Sequence, residues 1–180
     1  MRTYLHALGI VNALGNNEAE VRAGLYAGST AGMRARDNLV AGRSVIVGEV
    51  RGELPPIPPE LAQYASRNLQ ILSAAVAQIR PDIDAAIDRY GAARIGIVLG
   101  SSTSGVAEGQ AALATKLRDG AFPADYDYRR QELGTPGEFL RRLLGTRGPA
   151  WCVSTACTAG AKAFSSGRRL LASGRCDAVI

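Results

Sequence analysis

Ala150-Trp151-Cys152-Val153-Ser154-Thr155-Ala156-Cys157-Thr158-Ala159-Gly160 passes from a short apolar stretch into a run of small residues, and its reading decides the fold. Ala150 to Ser154 reads as a strand and Cys157 to Ala172 as a helix, which puts Cys157 at a strand-to-helix turn. A sulfur there lies beside unpaired backbone N–H groups and the positive end of a helix dipole, both of which favour thiolate over thiol. The N–H of Cys157 can also face a developing oxyanion. Small neighbours leave a thioester room to approach. The competing reading is a structural cysteine in a tightly packed helix.

Outward from this stretch the pattern is α/β. Gly174 stops the helix, and Ala178 to Ile180 begins another strand. Upstream, Arg94-Ile95-Gly96-Ile97-Val98-Leu99 is a continuous apolar run of the kind expected in a strand covered on both faces. Gly105 to Arg118 reads as a helix and Asp119 to Arg130 as a polar loop. Thr135-Pro136-Gly137-Glu138 has capping-box spacing with proline at the first helical position, predicting a helix over 136–144.

Nearer the N-terminus, Tyr4 to Ile10 reads as a first strand, Glu18 to Ala27 as a helix, Gly28 to Gly42 as loop and Ser44 to Val50 as a strand. Pro59 suits the start of a helix whose stripe runs from Leu61 to Ile79, and Pro81 ends or kinks it before a second piece, Asp82 to Tyr90. No linker or repeat divides the chain.

At 180 residues and 47% hydrophobic content the chain is long enough for a real core. It holds no apolar run of membrane-spanning length and no secretion signal, so a cytoplasmic location is expected. Cys152, Cys157 and Cys176 lack Cys-x-x-Cys spacing, which argues for free thiols rather than disulfides or zinc. The net charge of +5 favours an acidic partner such as nucleic acid, an acidic carrier protein or a phosphorylated substrate. Its scattered arginine pairs equally fit a solvated basic surface.

Other motifs carry less. Gly100-Ser101-Ser102-Thr103-Ser104-Gly105 follows a buried strand as a phosphate loop would, but Val106 and Ala107 stand where such a loop needs lysine and a hydroxyl residue. His6 is the single histidine and reads as structural. Cys152 and Cys176 read as packing residues. Neither a cofactor nor a metal is called for.

Taken together these residues resemble the β-ketoacyl-acyl-carrier-protein synthases. Thr155-Ala156-Cys157-Thr158-Ala159-Gly160, preceded by Gly148-Pro149-Ala150 and followed by Ser173-Gly174-Arg175-Cys176-Asp177-Ala178-Val179-Ile180, is similar to the family's active-site region. Leu8 to Asn16 and Ile97 to Ser101 resemble its first strand and turn and its third strand. The resemblance implies a thiolase-like fold, with residues 1–180 as the N-terminal half: a mixed five-stranded sheet with helices on both faces. The C-terminal half, which in the family supplies two histidines, is absent from these residues. This chain alone is therefore not expected to complete the cycle.

Carried over residue by residue, Cys157 is the nucleophile and a backbone oxyanion donor, accepting an acyl group before decarboxylative condensation with a malonyl thioester. Thr103 falls at the family's acyl-pocket gate, and Arg67 lies near its carrier-docking region. The strand at 150–154 implies a homodimer or heterodimer. The implied partners are acyl carrier protein and acyl and malonyl thioesters, with no nucleic acid. Ser66-Arg67-Asn68, the 100–105 loop and Gln131-Glu132-Leu133-Gly134 look most like synthases of aryl-polyene or polyketide clusters, as against a fatty-acid enzyme. The alternatives are a thiolase or other acyl-CoA transferase of the same fold, and a non-catalytic dimerisation or carrier-binding module.

Overall fold

In the computed structural model, which describes residues 2–180, the chain packs into two compact units. One comprises Pro56–Gln70 and Pro81–Ile180 with residues 2–4, the other Leu5–Pro55 and Ile71–Arg80.

The first unit is built on β3 (Ile95–Gly100), the centre of a parallel sheet of order β4-β3-β5 with β4 (Ala150–Val153) and β5 (Ala178–Val179). Ile95 to Val98 are all buried, which is why this segment reads as an unbroken apolar run. Alternation along β3 then assigns the helices to opposite faces. Gly96, Val98 and Gly100 face α6 (Ala159–Ala172): Val98 clusters with Ala163, Leu170 and Cys176. Leu99 is in register with Cys152, whose sulfur reaches Gly134 and Gly137 at the start of α5 (Thr135–Leu144), so α5 covers the other face.

Phe139 and Leu140 of α5 are fully buried, and the Phe139 ring meets Tyr64 edge-on with centroids 6.3 Å apart. Arg94 clamps the β5 edge by donating to Asp177 and to the Gly174 carbonyl, each at 2.7 Å. The unit is completed by the first turn of α2 (Arg67–Gln78), by α3 (Arg80–Tyr90) and by α4 (Val106–Asp119).

The second unit holds α1 (Glu18–Tyr26), capped by the Asn17 side chain accepting from Glu20 N–H at 2.9 Å. It also holds an antiparallel hairpin of β1 (Met33–Val40) and β2 (Arg43–Gly48). Val40 pairs with Arg43, leaving a two-residue turn in which Gly42 takes φ +74°.

The structure corrects several expectations. The predicted loop 28–42 contains β1, which shows no apolar alternation because all its residues are exposed. The predicted strand 4–10 makes no ladder; Gln78 anchors it instead, its amide donating to Ile10 and Asn16 carbonyls and accepting from Ile10 N–H. Among the described residues the five strands accordingly fall into a three-stranded parallel sheet and a two-stranded hairpin rather than one mixed sheet.

The single helix expected from Leu61 to Ile79 is broken into a 3-10 turn, Pro59–Tyr64, and α2, because Ser66 caps Leu69 N–H through its hydroxyl and carbonyl. The capping box at Thr135 does not form. Glu138 turns outward to Arg141 and Arg142, and Gly134 takes the N-cap.

Candidate active site

Parallel strands gather their carboxyl ends on one side, where α/β sheets place ligands. The loops after β3 and β4 emerge there side by side, Gly100 being paired with Val153. Ser101 N–H donates to the Val153 carbonyl at 3.1 Å, continuing the ladder one residue past the strand. The chain then turns through Ser154 and Thr155 into a one-turn 3-10 helix, Ala156–Thr158, and only afterwards into α6. Cys157 thus sits one turn before the α-helix rather than at its first residue, as the sequence reading had it.

The turn is strained and braced. Ala156 has φ +50°, a left-handed conformation costing an alanine about 1–2 kcal/mol. Thr158 donates its hydroxyl to the Thr155 carbonyl at 2.8 Å, and the two threonine hydroxyls lie within hydrogen-bond distance at 3.0 Å. Ser102 Oγ donates to the Ala156 carbonyl at 3.2 Å. A Cβ on Gly100 would stand 2.7 Å from the carbonyl carbon of Ala159 and 2.8 Å from Gly160 N, so β3 and the start of α6 touch backbone to backbone. Such closeness fixes where the helix begins. Cys157 is exposed, and no turn or loop carbonyl among the described residues accepts its N–H.

The other thiols are placed differently. Cys152 is half-buried, accepts from Gly137 N–H at 3.2 Å and leans on the Gly134 carbonyl at 3.7 Å; burial raises its pKa, with the Gly137 bond opposing. Cys176 is buried in the core cluster, and burial pushes it up also.

Thr103 is exposed in the same loop as Ser102, its carbonyl accepting from Val106 N–H at 3.1 Å. Arg67 is exposed at the start of α2, where its N–H donates to Glu108 at 2.7 Å. His6 is exposed on the extended N-terminal segment. The loop after β3 is therefore brought to the cysteine by sheet register, and Ser102 is the residue sequence reading missed. The sequence displays the run of hydroxyl residues after β3, but not the pairing with β4 that carries Ser102 to the cysteine turn. Among the described residues no group of His, Cys, Asp and Glu is arranged to hold a metal, and no helix is long and apolar enough to cross a membrane.

A cysteine on an exposed turn between a parallel strand and a helix, held by the neighbouring strand's loop, makes this turn the candidate site of a thiolase-like fold. The chain belongs to the β-ketoacyl synthase family: residues 48–180 match the profile of the β-ketoacyl synthase N-terminal domain. No curated protein matches it significantly.

Among solved structures it is similar to a chain in "Ketosynthase (ApeO) in Complex with its Chain Length Factor (ApeC)" from Xenorhabdus doucetiae. Identity there is 40% and the TM-score 0.93, over 98% of this chain and 45% of that one. The ishigamide ketosynthase/chain length factor shares the fold at 24% identity and TM-score 0.77, covering 94% of this chain and 43% of that one. So does a β-ketoacyl synthase from Burkholderia phymatum STM815, at 23% identity and TM-score 0.73 over the same shares. The chain spans less than half the length of each of these structures.

Proposed function

We propose that this chain supplies the nucleophile of a 3-oxoacyl-acyl-carrier-protein synthase working in aryl-polyene or polyketide assembly. The observation that carries the reading is Cys157, exposed on the strained turn between β4 and α6. In the proposed first half-reaction the Cys157 sulfur attacks the acyl carbonyl carbon of a carrier thioester. The carrier's C–S bond breaks, and the carrier thiol leaves with a proton. In the second, a malonyl thioester loses carbon dioxide and its carbanion attacks the acyl group, returning the Cys157 sulfur. Decarboxylation calls on the histidines that the family carries outside residues 1–180, the N-terminal half.

Thr103 would border the acyl chain, and Arg67 with the basic surface would receive an acidic acyl carrier protein. The exposed edge of β4 at 150–153 would pair with a second subunit. Similarity to a ketosynthase bound to its chain length factor supports a heterodimer. A cytoplasmic setting would keep the thiols reduced.

The test is condensation by the full-length protein supplied with acyl and malonyl carrier thioesters. Product is expected from the wild type and none from Cys157→Ala. Undiminished product from Cys157→Ala would reject the reading.

A further inference from the structure

We propose that Ser102 is a positioning residue for acyl transfer, acting on the backbone donor at Cys157 rather than on the thiol. This rests on the reading of Cys157 as the acyl-accepting nucleophile. Ser102 Oγ donates to the Ala156 carbonyl at 3.2 Å. That carbonyl and the Cys157 N–H are the two ends of one planar peptide unit. A bond that holds the oxygen therefore also sets the direction of the N–H. The same bond draws electron density toward the oxygen and makes the N–H a stronger donor.

The turn has reason to need this hold. Ala156 sits at φ +50°, outside the region alanine prefers, and its carbonyl also accepts the Ala159 N–H that closes the 3-10 turn. The loop bearing Ser102 is itself fixed at several points. Ser101 N–H is bonded to Val153 of β4 at 3.1 Å, and Ser104 N–H donates to Ser101 Oγ at 3.0 Å. Ser104, buried and at φ +45°, donates its hydroxyl to the Glu132 carbonyl at 2.9 Å. A strained loop held at these points is a firm platform, and Ser102 carries its support across to the turn that bears Cys157.

The chemistry gives this contact a selective effect. When sulfur adds to a thioester carbonyl, an electron pair moves onto the oxygen, and an aligned N–H stabilises that charge until the carrier sulfur departs. Alkylation of the same sulfur by iodoacetamide expels iodide and develops no oxyanion at that position. Ser102 should therefore matter to acylation and not to alkylation.

The experiment compares both reactions at Cys157 in the full-length protein, using hexanoyl N-acetylcysteamine thioester for single-turnover acylation. Ser102→Ala should slow the maximal acylation rate about 5- to 10-fold, as expected for one lost hydrogen bond, and leave alkylation within about twofold. Ser102→Thr, which keeps the hydroxyl, should restore acylation. Unchanged acylation in Ser102→Ala, equal slowing of both reactions, or failure of Ser102→Thr to rescue would each overturn the proposal. Wild-type protein that is alkylated at Cys157 yet takes no acyl group from the thioester would refute the nucleophile reading itself, and the proposal with it.

Discussion

The backbone contact between β3 and α6 can be tested with two glycines, one crowded by main-chain atoms and one with open space beside it. At Gly100 a methyl group would lie 2.7–2.8 Å from three main-chain atoms of Ala159 and Gly160, where ordinary contact begins at 3.4 Å. The start of α6 must therefore retreat by roughly 0.6 Å, because no flexible side chain is there to give way. Overpacking of this kind costs about 1–3 kcal/mol, offset by up to about 1 kcal/mol from the backbone freedom alanine removes in the unfolded chain. The net loss is about 1.5 kcal/mol, which at a urea slope of about 2 kcal/mol/M lowers the midpoint by about 0.7 M.

Gly160 lies within α6 with nothing inside 4 Å of its would-be Cβ. Gly160→Ala should hold or raise stability, by up to about 1 kcal/mol. Urea titration of both variants by circular dichroism provides the measurement. Function should separate them too: displacing the turn that carries Cys157 is expected to slow its acylation at least about tenfold in Gly100→Ala. A wild-type midpoint for Gly100→Ala, or an equal drop in Gly160→Ala, would refute the reasoning.

Three further outcomes are expected. Phe139→Ala, which empties a fully buried ring site beside Tyr64, should lose about 3–5 kcal/mol in the same titration. Hydrogen bonds from Arg141, then Arg142, hold the Glu138 carboxyl below its ordinary range, and Arg129 does the same for Asp127. Carboxylates depressed in the folded state contribute stability above their unfolded pKa and lose it as pH falls through the folded one. Stability should then decline from about pH 5 downward, with a shallower acid limb in Glu138→Gln than in the wild type. Iodoacetamide at neutral pH should label exposed Cys157 first, half-buried Cys152 later and buried Cys176 last, as read by peptide mass spectrometry.

What the sequence disclosed followed from burial. Ile95 to Val98, covered on both faces, could be read as a central strand; the helix over 136–144 was read instead from its start, where Pro136 does stand in the first turn, and its buried Phe139, Leu140 and Leu144 played no part in that reading. β1 was illegible for the opposite reason: with no buried face it has no period, and its pairing comes from β2 and a glycine turn. The break between the Pro59–Tyr64 turn and α2 hid inside one apolar stripe, because Ser66 acts through a local cap.

The candidate Cys157 could be singled out from its place at a strand-to-helix turn among small residues. Ser102 could not be, because its bond depends on parallel register between strands some fifty residues apart, Gly100 pairing with Val153. Thr135-Pro136-Gly137-Glu138 shows the limit of spacing rules: the glutamate preferred two arginines on its own helix to the backbone it was expected to cap.

The central claim is that Cys157 takes the acyl group. The most direct measurement is to incubate the full-length protein with an acyl carrier thioester, digest it and locate the added acyl mass by tandem mass spectrometry. The account predicts one acyl group, on the peptide bearing Cys157, and none in Cys157→Ala. Acyl mass on Cys152 or Cys176 with Cys157 unmodified would contradict it.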